Sequence, residues 1–296
     1  MSGPAITLAR LTHLHPGGKG VRELSLEVPM GSIFGFLGPN GAGKSTTIRL
    51  LLDFLRPQSG AASVLGLDPW RDGPAVRQRI GYLPGEVHLP ENLTGMEFLR
   101  YAARLRGVAL PEERLRAMVE ALDANPVPRL KTLSKGNKQK IAIIHALLLT
   151  RELVILDEPT EGLDPLVQQA FHRLLAQYRD EGGTIFMSSH VLSEVERLCD
   201  HVAIIRDGRI VEVARTESLK ANKARRVSLV LDAGVDRETV SSALPDVRIV
   251  AWEGTSSILE ITGDIRPLLG LLARLPVRDV AIEPASLEDS FLEYYA

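Results

Sequence analysis

Residues 38–45 read Gly38-Pro39-Asn40-Gly41-Ala42-Gly43-Lys44-Ser45. The run satisfies G-x-x-x-x-G-K-S/T, a phosphate-binding loop that works only between a buried strand and a helix. No other feature constrains the fold as much. Ile33-Phe34-Gly35-Phe36-Leu37 precedes it, a continuous apolar run of the kind covered on both faces of a sheet. Residues 44–55 follow as a helix, stopped by Arg56-Pro57. Glycines let backbone N–H groups curl around phosphate oxygens. The helix adds unpaired N–H groups and its positive dipole end. Lys44 is expected to reach the β- and γ-phosphates, and the Ser45 hydroxyl to bind Mg²⁺. Asn40, Gly41, Ala42, Gly43 and Thr46 complete the expected nucleotide cradle.

A second apolar strand, Leu153-Val154-Ile155-Leu156, ends in Asp157-Glu158. In a parallel α/β sheet, ligands gather at the carboxyl ends of strands. Asp157 is therefore expected beside the metal held by Ser45. Glu158 lies one residue further out, placed to orient or deprotonate a water. An ordinary glutamate is a weak base, so its position matters more than its proton affinity.

Strands alternate with helices along most of the chain. Strands are read at 80–83, 153–156, 184–187, 201–206 and 209–213, and helices at 94–107, 111–122, 137–150, 166–179 and 191–199. Thr94 with Glu97 forms a capping-box pattern. After Glu217 the pattern restarts: strand 227–231, helix 236–244, strands 247–252 and 258–261, helix 265–275, strand 280–282, helix 286–294. That is βαββαβ followed by a helix, a ferredoxin-like order.

Composition narrows the functional classes. Apolar residues make up 45% of the 296 and charged residues 24%, which excludes a disordered, collagen-like or disulfide-scaffold chain. The 35 Lys and Arg nearly balance the 37 Asp and Glu. Nucleic-acid binders draw affinity from a basic excess, so no nucleic-acid partner is expected. Cys199 is the only cysteine, which excludes an internal disulfide and fits a reducing compartment. The longest apolar stretch, 141–149, is interrupted by His145 and is about half a membrane span. The first residues lack a signal-peptide pattern. The expectation is a soluble or peripheral chain.

These motifs together resemble the ATP-binding-cassette (ABC) ATPases, over roughly residues 6–213 and in the family's order. Leu133-Ser134-Lys135-Gly136-Asn137 is similar to the family signature, usually written LSGGQ. In the family it meets the γ-phosphate of ATP bound to the other copy, which implies nucleotide contacts for Ser134, Gly136 and Asn137. A hydroxyl and an N–H at a helix N-terminus favour an anion; taken alone, the string is a plain N-cap. Glu161-Gly162-Leu163-Asp164 resembles the D-loop. It also reads as a turn with Asp164 as N-cap and Pro165 first in the helix. Ser188-Ser189-His190 resembles the switch segment, whose histidine contacts the γ-phosphate and the attacking water. Outside the signature, two positions depart from the family. His15 stands where an aromatic residue, commonly Tyr, stacks on adenine. Pro84-Gly85-Glu86 replaces Pro-Gln after the strand at 80–83, so Glu86 takes the place of a metal-reaching glutamine.

The resemblance implies an α/β fold: a mainly parallel P-loop core with an antiparallel β subdomain and a helical subdomain at about 86–150, all within 1–217. A small α+β ferredoxin-like domain at 218–296 completes it. It implies an ATPase subunit of an ABC transporter, using ATP and Mg²⁺. Lys44, Glu158 and His190 are then catalytic, and Ser45, Asp157 and Glu86 face the metal. Two copies are expected to sandwich two ATP-Mg and drive a separate membrane permease from the cytoplasmic face of the cell membrane. Residues 283–291 resemble the ending of a bacterial export subgroup, which implies export. The alternative is a soluble ABC ATPase serving nucleic acid, ribosomes or cofactor assembly. A single cassette, no long heptad run and a near-zero net charge oppose it.

Overall fold

The structure, a computed structural model, describes residues 3–150, 152–221, 225–232, 235–243, 247–261 and 263–283. The chain divides into two compact units, Met1–Ala214 and Arg215–Ala296.

In the first unit, β1 (Ile6–Leu14) and β2 (Gly20–Val28) alternate apolar and polar residues and pair antiparallel. Two bulges interrupt their register, where Arg10 and Glu23 take φ of 48° and 50°. One lies on each strand, so the pairing resumes with the same faces inward. β3 (Ile33–Leu37) is buried at every position. The glycine loop leads from it into α1 (Lys44–Leu51). This helix ends four residues before the expected 55. Asp53 adopts φ 62°, Phe54 N donates to Arg49 O and Asp53 N to Leu50 O. That is a left-handed cap closing the helix ahead of the proline.

β4 (Ser59–Val64) then pairs with β1, completing an antiparallel sheet in the order β2-β1-β4. α2 (Gly73–Arg79) runs into β5 (Ile80–Leu83). Neither β4 nor α2 is among the expected elements. Three helices follow: α3 (Gly95–Leu105), α4 (Glu112–Ala121) and α5 (Lys135–Leu148). Thr94 and Glu97 form the expected capping box. Ser134 caps α5, so the helix starts two residues before the expected 137.

The remaining elements are β6 (Leu153–Asp157), α6 (Pro165–Asp180), β7 (Thr184–Ser189), α7 (Leu192–Leu198), β8 (His201–Arg206) and β9 (Arg209–Arg215). They complete a six-stranded sheet in the order β5-β6-β7-β3-β8-β9, parallel from β5 through β8. β6 and β7, like β3, are buried throughout. Strands covered on both faces read as near-continuous apolar runs, and β6 and β7 turn polar only at their ends, at Asp157, Thr184, Ser188 and Ser189. The loop leaves β3 beside the carboxyl ends of β7 and β6, so the sheet order alone brings loop, Asp157 and Ser188 to one edge.

The second unit holds α8 (Thr216–Ala221), β10 (Arg225–Leu231), α9 (Arg237–Ala243), β11 (Val247–Glu253), β12 (Ser256–Ile261), α10 (Arg266–Leu272) and β13 (Val277–Glu283). Its antiparallel sheet runs β11-β12-β10-β13. From β10 onward the order is the expected βαββαβ. Val227, Leu229, Leu231, Leu259 and Ile261 pack with Val240 and Leu268 as a separate core. The expected final helix at 286–294 lies outside the described residues. No helix among the described residues is long and apolar enough to cross a membrane.

Candidate functional site

The loop's shape is set by what its glycines approach. A Cβ on Gly38 would run into Ile205 O. Gly43 takes φ 112°, and a Cβ there would lie 2.8 Å from Val21 Cγ1. Gly43 is also the N-cap of α1 and no side chain caps the helix, so its first N–H groups stay available to a ligand.

Lys44 is 5% exposed. Its Nζ donates to Gly38 O at 2.6 Å and Pro39 O at 3.1 Å. The same ammonium lies 3.1 Å from Glu158 Oε1. The other oxygen, Oε2, is 2.8 Å from His190 Nδ1. Lys44, Glu158 and His190 thus form one continuous chain. Glu158 Oε1 is buried and accepts no well-aligned hydrogen bond, leaving acceptor capacity beside a cation.

A pocket of about 280 Å³ opens over this chain. Asn40, Gly41, Gly43, Lys44, Ser45 and Thr46 line it, with His15 and Glu158. His15 Nε2 lies 3.3 Å from Thr46 Oγ1, and its ring meets His13 edge-on at 4.8 Å. Lys19 and Gly20 also line the pocket; sequence reasoning missed both, since neither lies in a motif. Ala42 does not line it. Its side chain is buried in the core, and its carbonyl accepts from Gly208 N at 3.0 Å. Ala42 therefore serves the loop through its backbone alone.

Ser45 also lines a larger cleft of about 900 Å³, together with Asp157 and Glu86. Asp157 is 7% exposed, and its Oδ1 accepts from Ser188 Oγ at 2.6 Å. Tyr82 lines the same cleft. Burial, and then the charge of Asp157, pushes its phenol up to about 12. The Glu86 carboxylate is largely exposed and lies 3.5 Å from His88 Nε2. Among the described residues, no group of three or more His, Cys, Asp or Glu is arranged to hold a metal. A hydroxyl and one carboxylate nevertheless suit Mg²⁺, which takes hard oxygen ligands, keeps waters and completes its shell with substrate phosphates.

Ser134, Gly136 and Asn137 do not line the loop pocket. Ser134 Oγ accepts from Asn137 N at 3.2 Å. The Asn137 amide bridges the Asn125 backbone, accepting from N at 2.9 Å and donating to O at 2.8 Å. Asp164 caps α6, accepting from Leu166 N and Val167 N, with Pro165 in the first turn. Lys135, where the usual signature has glycine, pairs with Glu161 at 3.3 Å. Cys199 is buried, and burial pushes its thiol up, as suits an inert apolar side chain.

Comparison with known proteins gives one answer. The ABC transporter family matches residues 21–161. The chain is 33% identical to the daunorubicin/doxorubicin resistance ATP-binding protein of Streptomyces peucetius, over 97% of this chain and 91% of that protein. It is 37% identical to the bacitracin transport ATP-binding protein of Bacillus licheniformis, over 75% of this chain and 73% of that one. A solved ATP-binding subunit of an ABC transporter aligns with a TM-score of 0.68 at 32% identity, covering 73% of this chain and 92% of that one.

Proposed function

The chain belongs to the ABC transporter family as an ATP-binding, ATP-hydrolysing subunit, and from that premise we propose that two copies close on two ATP molecules to drive a separate membrane permease. The observation that carries this reading is the Lys44–Glu158–His190 chain at the mouth of the glycine loop.

In this reading each copy binds ATP phosphates with the backbone of Asn40, Gly41, Ala42 and Gly43 and with Lys44, Ser45 and Thr46. His15 stacks on the adenine. Ser134, Gly136 and Asn137 of the second copy approach the γ-phosphate from the far side. Mg²⁺, when bound, would supply positive charge that offsets the phosphates. Ser45 and Asp157 would hold it, and Glu86, which lines the same cleft, would serve as a further ligand. Glu158 aims the attacking water, and His190 holds Glu158 while contacting the γ-phosphate. Such a site acts by positioning and electrostatics. ATP favours the closed pair because it binds that state better, and hydrolysis removes the preference.

The named relatives serve drug resistance and bacitracin transport, which supports export as the direction. The subunit then sits on the cytoplasmic face of the membrane, held there by its permease. The test is a pull-down of tagged Glu158→Gln chain with ATP-Mg from detergent-solubilised native membranes. A multi-spanning membrane protein in near-equal amount is expected. Ribosomal or assembly proteins in its place would overturn the transport reading.

A further inference from the structure

We propose that Ser188 is a positioning residue for hydrolysis, one buried hydroxyl that sets both acids of the site. The inference rests on the reading of Asp157 and Glu158 as the working acids.

β7 closes an apolar run with Ser188 and Ser189. The register pairs Ser188 with Asp157 of β6 on one side and with Phe36 of β3 on the other. It therefore sits between the acid strand and the loop strand, and it is 0% exposed. A serine buried this deeply has to satisfy its hydroxyl internally. The Oγ donates to Asp157 Oδ1 at 2.6 Å and accepts from Glu158 N at 3.1 Å. The hydroxyl's one donor and one of its acceptor lone pairs are spent on two consecutive residues with different tasks.

The two bonds do different things. Asp157 Oδ1 is engaged, which fixes the rotation of the carboxylate in the cleft it shares with Ser45. At Glu158 the backbone takes φ 49°, a left-handed conformation that a non-glycine residue adopts only when held. The bond from its N–H to Ser188 Oγ is such a hold. With that φ fixed, the side chain reaches Lys44 at 3.1 Å and His190 at 2.8 Å. Without it, the peptide is free to relax toward ordinary strand geometry and carry the carboxylate out of line.

The test compares Ser188→Ala, Ser188→Thr and Ser188→Val in the full-length chain, beside Glu158→Gln. Thr and Val have the same shape and differ by the hydroxyl. Ala and Val should lower kcat about 10- to 100-fold, the range for removing a group that orients a site ligand. ADP affinity in EDTA should be no weaker than wild type, and Thr should recover most of the rate. Amide hydrogen exchange at Glu158, measured without nucleotide or metal, should speed up about tenfold or more in Ala and Val but not in Thr. Equal losses in Thr and Val, tracking Tm and ADP affinity, would reduce Ser188 to a packing residue and overturn the proposal. So would wild-type turnover and exchange in Ser188→Ala beside a slow Glu158→Gln. Wild-type turnover in Glu158→Gln would instead remove the reading underneath.

Discussion

A phosphate arriving at the loop has to share Lys44 with Glu158, since that ammonium pairs with the carboxylate at 3.1 Å. Removing the carboxylate charge should therefore favour the anion. Glu158→Gln is expected to bind ADP several-fold tighter, by fluorescence titration, while ATP turnover falls about 100-fold or more, as for loss of a general base. ADP affinity equal to wild type would show that the pair does not compete with phosphate. Lys44→Ala should abolish phosphate release, and unchanged release would remove Lys44 from the site. His15→Ala should weaken ATP binding a few-fold if the ring stacks on adenine; an unaltered Kd would dismiss it. The loop and the Asp157-Glu158 pair were legible because each stands in a short string with a fixed chemical logic, whereas His190 came only with the likeness of 188–190 to the family's switch segment. Ser188 was visible only as part of the switch segment. Its partners come from the β6–β7 register, which joins residues 31 positions apart, and no local pattern encodes that.

Elements were legible where burial demands continuous apolar sequence. β3, β6 and β7 could be read because both faces are covered. β4 could not: Ser59-Gly60-Ala61-Ala62-Ser63-Val64 has little apolar content, and only Val64 is buried. α2 has seven residues, with only Gly73 and Val76 buried, too short for a helical period to show. Gly35 tests how α7 seats on β3. A Cβ there would lie 2.7 Å from Val195 Cγ1 and 2.9 Å from Cys199 Sγ. Gly35→Ala should lose about 1–3 kcal/mol to overpacking, read as a lower urea midpoint, with partial recovery on adding Val195→Ala. An unchanged midpoint would mean that α7 shifts freely. His145 on α5 tests the helical segment. Burial, and then the charge of Arg106, lowers its pKa from 6.5 to about 4. The unfolded chain therefore takes up this proton first as pH falls, so stability is full above 6.5 and is lost toward 4. Between pH 7 and 5 the loss from this group is roughly 2 kcal/mol. His145→Leu should flatten that part of the urea-midpoint profile; an identical slope would mean that His145 ionises in the fold.

At the scale of the molecule, the βαββαβ unit and the parallel core were legible from element order, because each order admits few sheets. The loop pocket is lined by His15, the glycine loop and Glu158. Ser134, Gly136 and Asn137 stand apart from it, with Ser134 capping α5 and Asn137 bridging to Asn125. If those three residues serve ATP, a second copy has to present them. ATP then joins two surfaces, and the pair should persist only while the γ-phosphate persists. Glu158→Gln should accordingly double its mass in ATP-Mg by multi-angle light scattering and remain single in ADP-Mg or EDTA. The wild-type chain should form the pair transiently and lose it as phosphate is released. Adding Ser134→Phe to Glu158→Gln should prevent the doubling and leave ATP binding to the loop intact, because Ser134 caps α5 and does not line the loop pocket. A mass that stays single at saturating ATP-Mg would defeat the two-copy closure while leaving nucleotide binding by the loop untouched.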